Sequence, residues 1–174
     1  MSYRFRPPFG NCPETALDYS RPVLIEPRDP WDPVVAQLSR EQLAELAGVE
    51  GDEHIAYPLA EGIEYIAGLV DGRPAALGAL QPLGDGIGEI KRMYVRSAYR
   101  GQGLSRLILA ALEEVALQRG YHTLRLEIGR YLAPAFGLYQ GAGYRPIPVF
   151  GQYVGNPLSL CFEKSLTTVE MGRA

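Results

Sequence analysis

The chain has 174 residues, 47% hydrophobic and 21% charged, with a formal net charge of −3. That length suits one ordinary domain, which buries roughly 70% of its unfolded surface and needs no disulfide or metal to hold it together. The weakly acidic total excludes a global basic field for nucleic acid or anionic lipid, and no apolar run approaches the ~18 residues of a bilayer span.

Residues 1–22 mix proline, arginine and aromatic residues without periodicity, so they read as an irregular arm. They hold no apolar segment of the secretory kind, and a cytoplasmic protein is expected. Cys12 and Cys161 lie far apart in no metal-ligand spacing and read as reduced thiols. Val23 to Ile25 is a short strand candidate. Two short helices are expected next: one from about Pro33 to Leu38, and one capped by Ser39 with Gln42 as its return partner, stopping at Gly48. Residues 49–61 are acidic and loop-like.

Ile63 to Val70 and Pro74 to Gln81 read as strands joined by Asp71-Gly72, a strong hairpin signal. A turn at Gly84-Asp85-Gly86 leads to a third strand, Glu89 to Val95. Leu104, Leu107, Ile108, Ala111 and Val115 then recur at helical spacing, and Gly120 ends that helix. Thr123 to Ile128 is a strand; lying after a helix, it can pair in parallel with the strand before it. A short helix from Ala135 to Ala142, a strand opening at Tyr144, a loop over residues 146–157 and a last strand from Leu158 to Leu166 complete the pattern. The domain therefore spans residues 23–166, with a tail over 167–174. The expected fold is α/β around one mixed sheet.

The junction Arg96-Ser-Ala-Tyr-Arg-Gly-Gln-Gly-Leu-Ser-Arg106 joins the third strand of the meander to the long helix. A helix start carries amides without internal partners and the positive end of the helix dipole. Glycines there admit an anion close to the backbone. From Lys91 to Arg106 there are five basic residues and no acidic one, a local reversal of sign in an acidic chain. Phosphate is the ligand this chemistry favours. No lysine follows Gly103, which excludes a Walker loop, and only Gly101 and Gly103 of the three glycines of a dinucleotide fingerprint are present.

Arg100-Gly101-Gln102-Gly103-Leu104-Ser105 instead matches R/Q-x-x-G-x-G/A with serine in the last place. Glu89-Ile-Lys-Arg-Met-Tyr-Val95 precedes it, and Gly137-Leu-Tyr-Gln-Gly-Ala-Gly-Tyr144 follows. On these three motifs the sequence resembles the GCN5-related N-acetyltransferase (GNAT) superfamily over roughly residues 23–166. The resemblance implies a mostly antiparallel sheet flanked by helices, with a splayed parallel strand pair at the cofactor site. It also implies transfer of an acetyl group from acetyl-CoA to a primary amine, by direct attack in a ternary complex. A small-molecule acceptor is preferred to a protein. Arg100 to Ser105 would bind the pyrophosphate, and the backbone of Met93, Tyr94 and Val95 would line the pantetheine arm.

By the same resemblance Glu89 is the candidate base and Tyr139 the proton donor to the thiolate. Glu127 competes with Glu89, and Glu89 also reads as a salt-bridge partner of Lys91 or Arg125. Two positions depart from the pattern: Leu132 stands where an asparagine is frequent, and Ser105 replaces glycine or alanine. His54 and His122 are isolated and read as structural, and no metal is expected. Arg96 and Arg106 read as surface charges. A non-catalytic acyl-CoA-binding domain and a different acyl donor remain open alternatives, as does a homodimer. The acceptor is a small-molecule amine or peptide, with no nucleic-acid or membrane partner expected.

Overall fold

The computed structural model describes residues 21–50 and 59–166. The N-terminal arm except Arg21 and Pro22, the acidic positions Asp52 and Glu53, His54, Cys12 and the tail lie outside the described residues. Strand β1 (Val23–Arg28) leads to helix α1 (Pro33–Glu50). Strands β2 (Glu64–Val70), β3 (Arg73–Gly84) and β4 (Ile87–Val95) form the meander. A 3₁₀ turn at Ser97–Tyr99 then precedes helix α2 (Leu104–Gln118) and strand β5 (Thr123–Gly129). Helix α3 (Ala133–Gly141), strand β6 (Arg145–Ile147), a 3₁₀ turn at Gly151–Tyr153 and strand β7 (Ser159–Ser165) follow.

The strands make one seven-stranded sheet in the order β1-β2-β3-β4-β5-β7-β6. Every neighbouring pair is antiparallel except β4 and β5, which run parallel across α2. The hairpin turns follow from backbone chemistry. Asp71 and Gly72 take φ 50° and 71°, and Asp85 and Gly86 take 51° and 70°, the left-handed pairs that a two-residue turn of this kind demands. His122 secures the second hairpin: its ring contacts Thr123 Oγ1 at 2.9 Å and Asp85 O at 3.0 Å, which is a structural use of the imidazole.

Helix α2 lies on one face of the sheet. Its buried stripe is Leu104, Ile108, Leu109, Leu112 and Ala116; Leu107, Ala111 and Val115, which share the helical spacing in the sequence, pack half-buried at its flank. The helix crosses close over Gly78, where a Cβ would lie 2.5 Å from Ile108 Cγ2 and 2.8 Å from Leu112 Cδ1. Glycine here permits close approach of helix to sheet.

The opposite face packs α1 through Val35 and Leu38 onto Tyr65, Ala67, Leu77 and Ala79. Here the two-helix expectation is corrected, because α1 is continuous through Ser39 and past Gly48. The cap is Asp32: its Oδ1 accepts the Val34 N–H at 2.7 Å, and its carbonyl accepts the Ala36 N–H at 3.1 Å. That amide hydrogen bond first, and the Arg28 contact second, hold the Asp32 carboxyl below its usual range. Val35, Leu38 and Gln42 recur on one face straight through Ser39, so packing overrode the apparent capping box.

Candidate active site

The parallel pairing of β4 and β5 is short. It runs Ile87–Thr123, Gly88–Leu124, Glu89–Arg125 and Ile90–Leu126, and then stops. Beyond it the two strands diverge. A cavity of about 500 Å³ opens between them and is lined by Met93 to Val95, the glycine turn, Glu127 to Gly129, α3 and α1.

The divergence has a local cause in β4. Leu77 pairs with Tyr94 and Ala79 with Lys91, so two residues, Arg92 and Met93, face the single Gly78. This is a β-bulge, and Arg92 takes φ 56° to make it. Past the bulge, Arg96 N–H donates to Ala75 O, so alternation turns the polar groups of Val95 and Met93 toward the gap. Both carbonyls are already engaged: Gln42 Nε2 donates to Met93 O at 3.1 Å, and Arg100 Nε to Val95 O at 2.8 Å. The amides of the same two residues are thereby presented to a ligand with acceptor groups.

At the mouth of the cavity Gly101 and Gly103 take φ 73° and 76°. Gly103 is the residue before α2, and its carbonyl accepts Arg106 and Leu107 N–H at 3.1 and 3.2 Å. The preceding amides of the helix start have no place in that ladder and suit an anion. Gly101, Gly103, Leu104 and Ser105 line the cavity. Gln102 turns away and donates weakly to Ala98 O at 3.4 Å. Arg100 lines the cavity, but its guanidinium pairs with Glu45 at 2.6 Å. Arg96 is likewise paired, with Glu41 at 2.6 and 2.7 Å, and it donates to Pro74 O at 2.6 Å. These two ion pairs fasten α1 to the segment after β4.

Of the expected catalytic pair, Tyr139 lines the cavity, is 3% exposed and packs edge-on to Tyr144 at 5.7 Å. Burial pushes its phenol well above its ordinary value. Glu89 is 1% exposed and sits behind the cavity wall. Gln81 Nε2 donates to its Oε2 at 2.7 Å and Tyr153 Oη to its Oε1 at 2.5 Å. Lys91 lines the cavity, lies 3.7 Å from Glu89 and donates to Tyr153 Oη. Burial lowers the Lys91 ammonium, and Glu89 and then Glu127 work against that shift. Arg125 pairs with Glu163 at 2.7 Å instead of with Glu89.

Glu127 lines the cavity directly and accepts from Ser159 Oγ at 2.5 Å. From the sequence Tyr153 has no individual role, only a place in the aromatic loop Val149 to Tyr153 as a candidate wall of the acceptor pocket, one of eleven tyrosines in the chain. Asn156, on the same loop, lines the cavity alongside Leu132, which bears no polar group. Cys161 is a buried free thiol. Among the described residues no group of His, Cys, Asp and Glu could hold a metal, and no helix is long and apolar enough to cross a membrane.

A mixed sheet that parts at its one parallel pair, above a glycine turn that starts a helix, is the fold of acyl-CoA N-acyltransferases. A crystal structure assigned to that class from Klebsiella pneumoniae subsp. pneumoniae superposes with a TM-score of 0.71 at 32% identity, over 83% of this chain and 98% of that one. The model of the acetyltransferase (GNAT) family matches residues 31–144, and the chain belongs to that family.

Curated relatives include an IAA acetyltransferase of Azospirillum brasilense, 41% identical over 81 residues, covering 47% of this chain and 53% of that protein. An N-acetyltransferase of Bacillus subtilis is 34% identical over 94 residues, 53% of this chain and 62% of that protein. The chain thus spans about half to three-fifths of the length of these relatives.

Proposed function

We propose that this protein moves an acetyl group from acetyl-CoA to the primary amine of a small molecule, by direct attack while both substrates are bound. The observation that carries the reading is the cavity between the parted strands, with amide donors at both ends of one continuous wall. The amides at Gly103 to Ser105 suit the pyrophosphate, and those of Met93 and Val95 suit the pantetheine arm and the thioester oxygen. The volume suits a small ligand bound in a cleft. The side chain of Gln102 has no part in this reading, and Arg100 takes part only if it exchanges Glu45 for phosphate.

An ammonium acceptor must lose a proton before it attacks. Glu127 faces the cavity and suits direct abstraction. Glu89 suits the same task at one remove, through Tyr153 and Lys91. On departure the coenzyme A thiolate needs a proton, and of the tyrosines in the wall, which also include Tyr94, Tyr99 and Tyr131, the buried Tyr139 suits donation.

The test is thiol release from acetyl-CoA across a panel of amines, with mass spectrometry of the products. Acetylated amine and equimolar thiol are expected. Tight acetyl-CoA binding with no acetylated product from any amine would replace this reading with that of a binding domain.

A further inference from the structure

Arg92 stands out among the cations of the cavity wall. Arg100 is matched by Glu45, and Lys91 by Tyr153, Glu89 and Glu127. Arg92 has no hydrogen bond or ion pair with a carboxylate among the described residues, although it lines the same cavity and is half-buried. Its charge is felt by Lys91 and by Tyr65 on the α1 face of the sheet. Two costs are concentrated in this residue. A partly desolvated guanidinium has no internal counter-ion. A non-glycine residue is also held at φ 56°, a conformation that persists where surroundings impose it and that gathers at ligand sites.

The position indicates the counter-ion. Lys91 and Arg92 on β4 and Glu127 on β5 come directly after the last parallel pair, Ile90–Leu126, and so form the floor of the gap. The phosphate-accepting amides are at the opposite end, at the start of α2. Whatever meets Arg92 is therefore at the reacting end. We infer that the acceptor is an amino carboxylate, its carboxylate bound by the Arg92 guanidinium across from Glu127, which faces its amine. A guanidinium matches a carboxylate with two parallel hydrogen bonds, which fixes orientation as well as charge. The same cation repels an amine that brings no anion, so it selects by exclusion as well as by attraction.

This inference rests on the acetyl-transfer reading, and its test separates the two. Initial rates are measured with acetyl-CoA and α-, β- and γ-amino acids, each beside its own carboxamide. The acids should exceed the amides at least about 10-fold in kcat/KM, the scale of a charged hydrogen bond. Arg92→Asn removes the charge while tolerating the left-handed backbone. It should raise KM for the preferred acid about 10–100-fold, leave KM for acetyl-CoA unchanged and abolish the acid-to-amide preference. Arg92→Lys should restore part of that preference. Amides used as well as acids, or a preference that survives Arg92→Asn, would overturn the inference while acetyl transfer stands.

If no amine is acetylated, binding decides instead. Calorimetry on coenzyme A-loaded protein compares N-acetyl amino acids with their N-acetyl amides. A preference for the acids that Arg92→Asn removes upholds the carboxylate site, and equal affinities refute it.

Discussion

Tyr153 Oη donates to Glu89 Oε1 at 2.5 Å, joining the loop before β7 to the middle of β4. Both residues are almost wholly buried, at 0% and 1% exposure. A buried carboxylate persists only where its lone pairs are met, and Gln81 and Tyr153 meet one oxygen each. The pair therefore does structural work whether or not Glu89 moves a proton. Tyr153→Phe should cost about 1–3 kcal/mol, the penalty for an acceptor left short of a donor, measured by denaturant unfolding. If Glu89 also acts as base through Tyr153, the variant should lose turnover and shift the pH profile of kcat as Glu89→Gln does. An unchanged profile in both, with a loss of about 10²–10⁴-fold in Glu127→Gln, would assign the base to Glu127.

Gly103 gives a test of the donor site that does not depend on turnover. It holds φ 76° at the start of α2, where a β-branched side chain is strained and would stand over the amides. Gly103→Val should weaken acetyl-CoA binding by at least about 10-fold, as one or more charged hydrogen bonds are lost. Calorimetry on protein with an unaltered circular dichroism spectrum reads it. Undiminished affinity would remove the turn from the site.

What the sequence made legible was local. The Asp71-Gly72 turn and the strand-to-helix junction rest on neighbours in the chain, and the parallel pairing of β5 with β4, which holds from Thr123 to Leu126, follows from the helix between them; each stands as read. What it hid was non-local or decided by packing. The Arg100–Glu45 pair spans 55 residues, and Tyr153–Glu89 spans 64. No short window contains either. The bulge at Arg92 is invisible because nothing in Lys91-Arg92-Met93 prefers a left-handed residue. Ser39 misled because a good capping residue sits on a helix whose apolar face runs through it; buried at the sheet, its hydroxyl finds no partner among the described residues.

The tyrosines set an upper limit on alkaline stability. Burial first pushes the hydroxyls of Tyr139, Tyr144 and Tyr153 well above their ordinary 10.0, with nearby Glu113 adding to Tyr144 and Glu89 to Tyr153. A raised value means that the folded state keeps protons that the unfolded chain gives up, so the stabilisation is complete below pH 10 and is lost as pH climbs past it. Burial also raises the Cys161 thiol above 9.0, which starts a smaller fall earlier. Lys91 has the opposite sign. Lowered by burial below 10.5, it adds stability as pH rises toward that value and nothing more beyond it. Unfolding free energy should therefore fall steeply above about pH 10. Tyr153→Phe should flatten the slope. A stability constant to pH 11 would contradict the burial of these hydroxyls.

Tyr139 separates an enzyme from a binding domain. On α3 its ring packs edge-on against Tyr144, which follows the helix, and its side chain also borders the cavity. Its strongly raised pKa means the phenol is neutral at working pH, so it holds a proton to give. That high value would make donation to an ordinary base unfavourable. A thiolate released inside the cavity is a different case, because the same burial that disfavours phenolate disfavours thiolate. Tyr139→Phe keeps the ring and the edge-on contact, so stability and acetyl-CoA affinity should change little. If the hydroxyl protonates the leaving sulfur, kcat should drop about 10²–10⁴-fold, and more for acyl donors with a more basic leaving thiol. If the ring only packs, kcat should match the unaltered protein for every donor. The comparison across donors decides, because a small structural disturbance lowers all rates by one factor, whereas a missing acid penalises the poorest leaving group most.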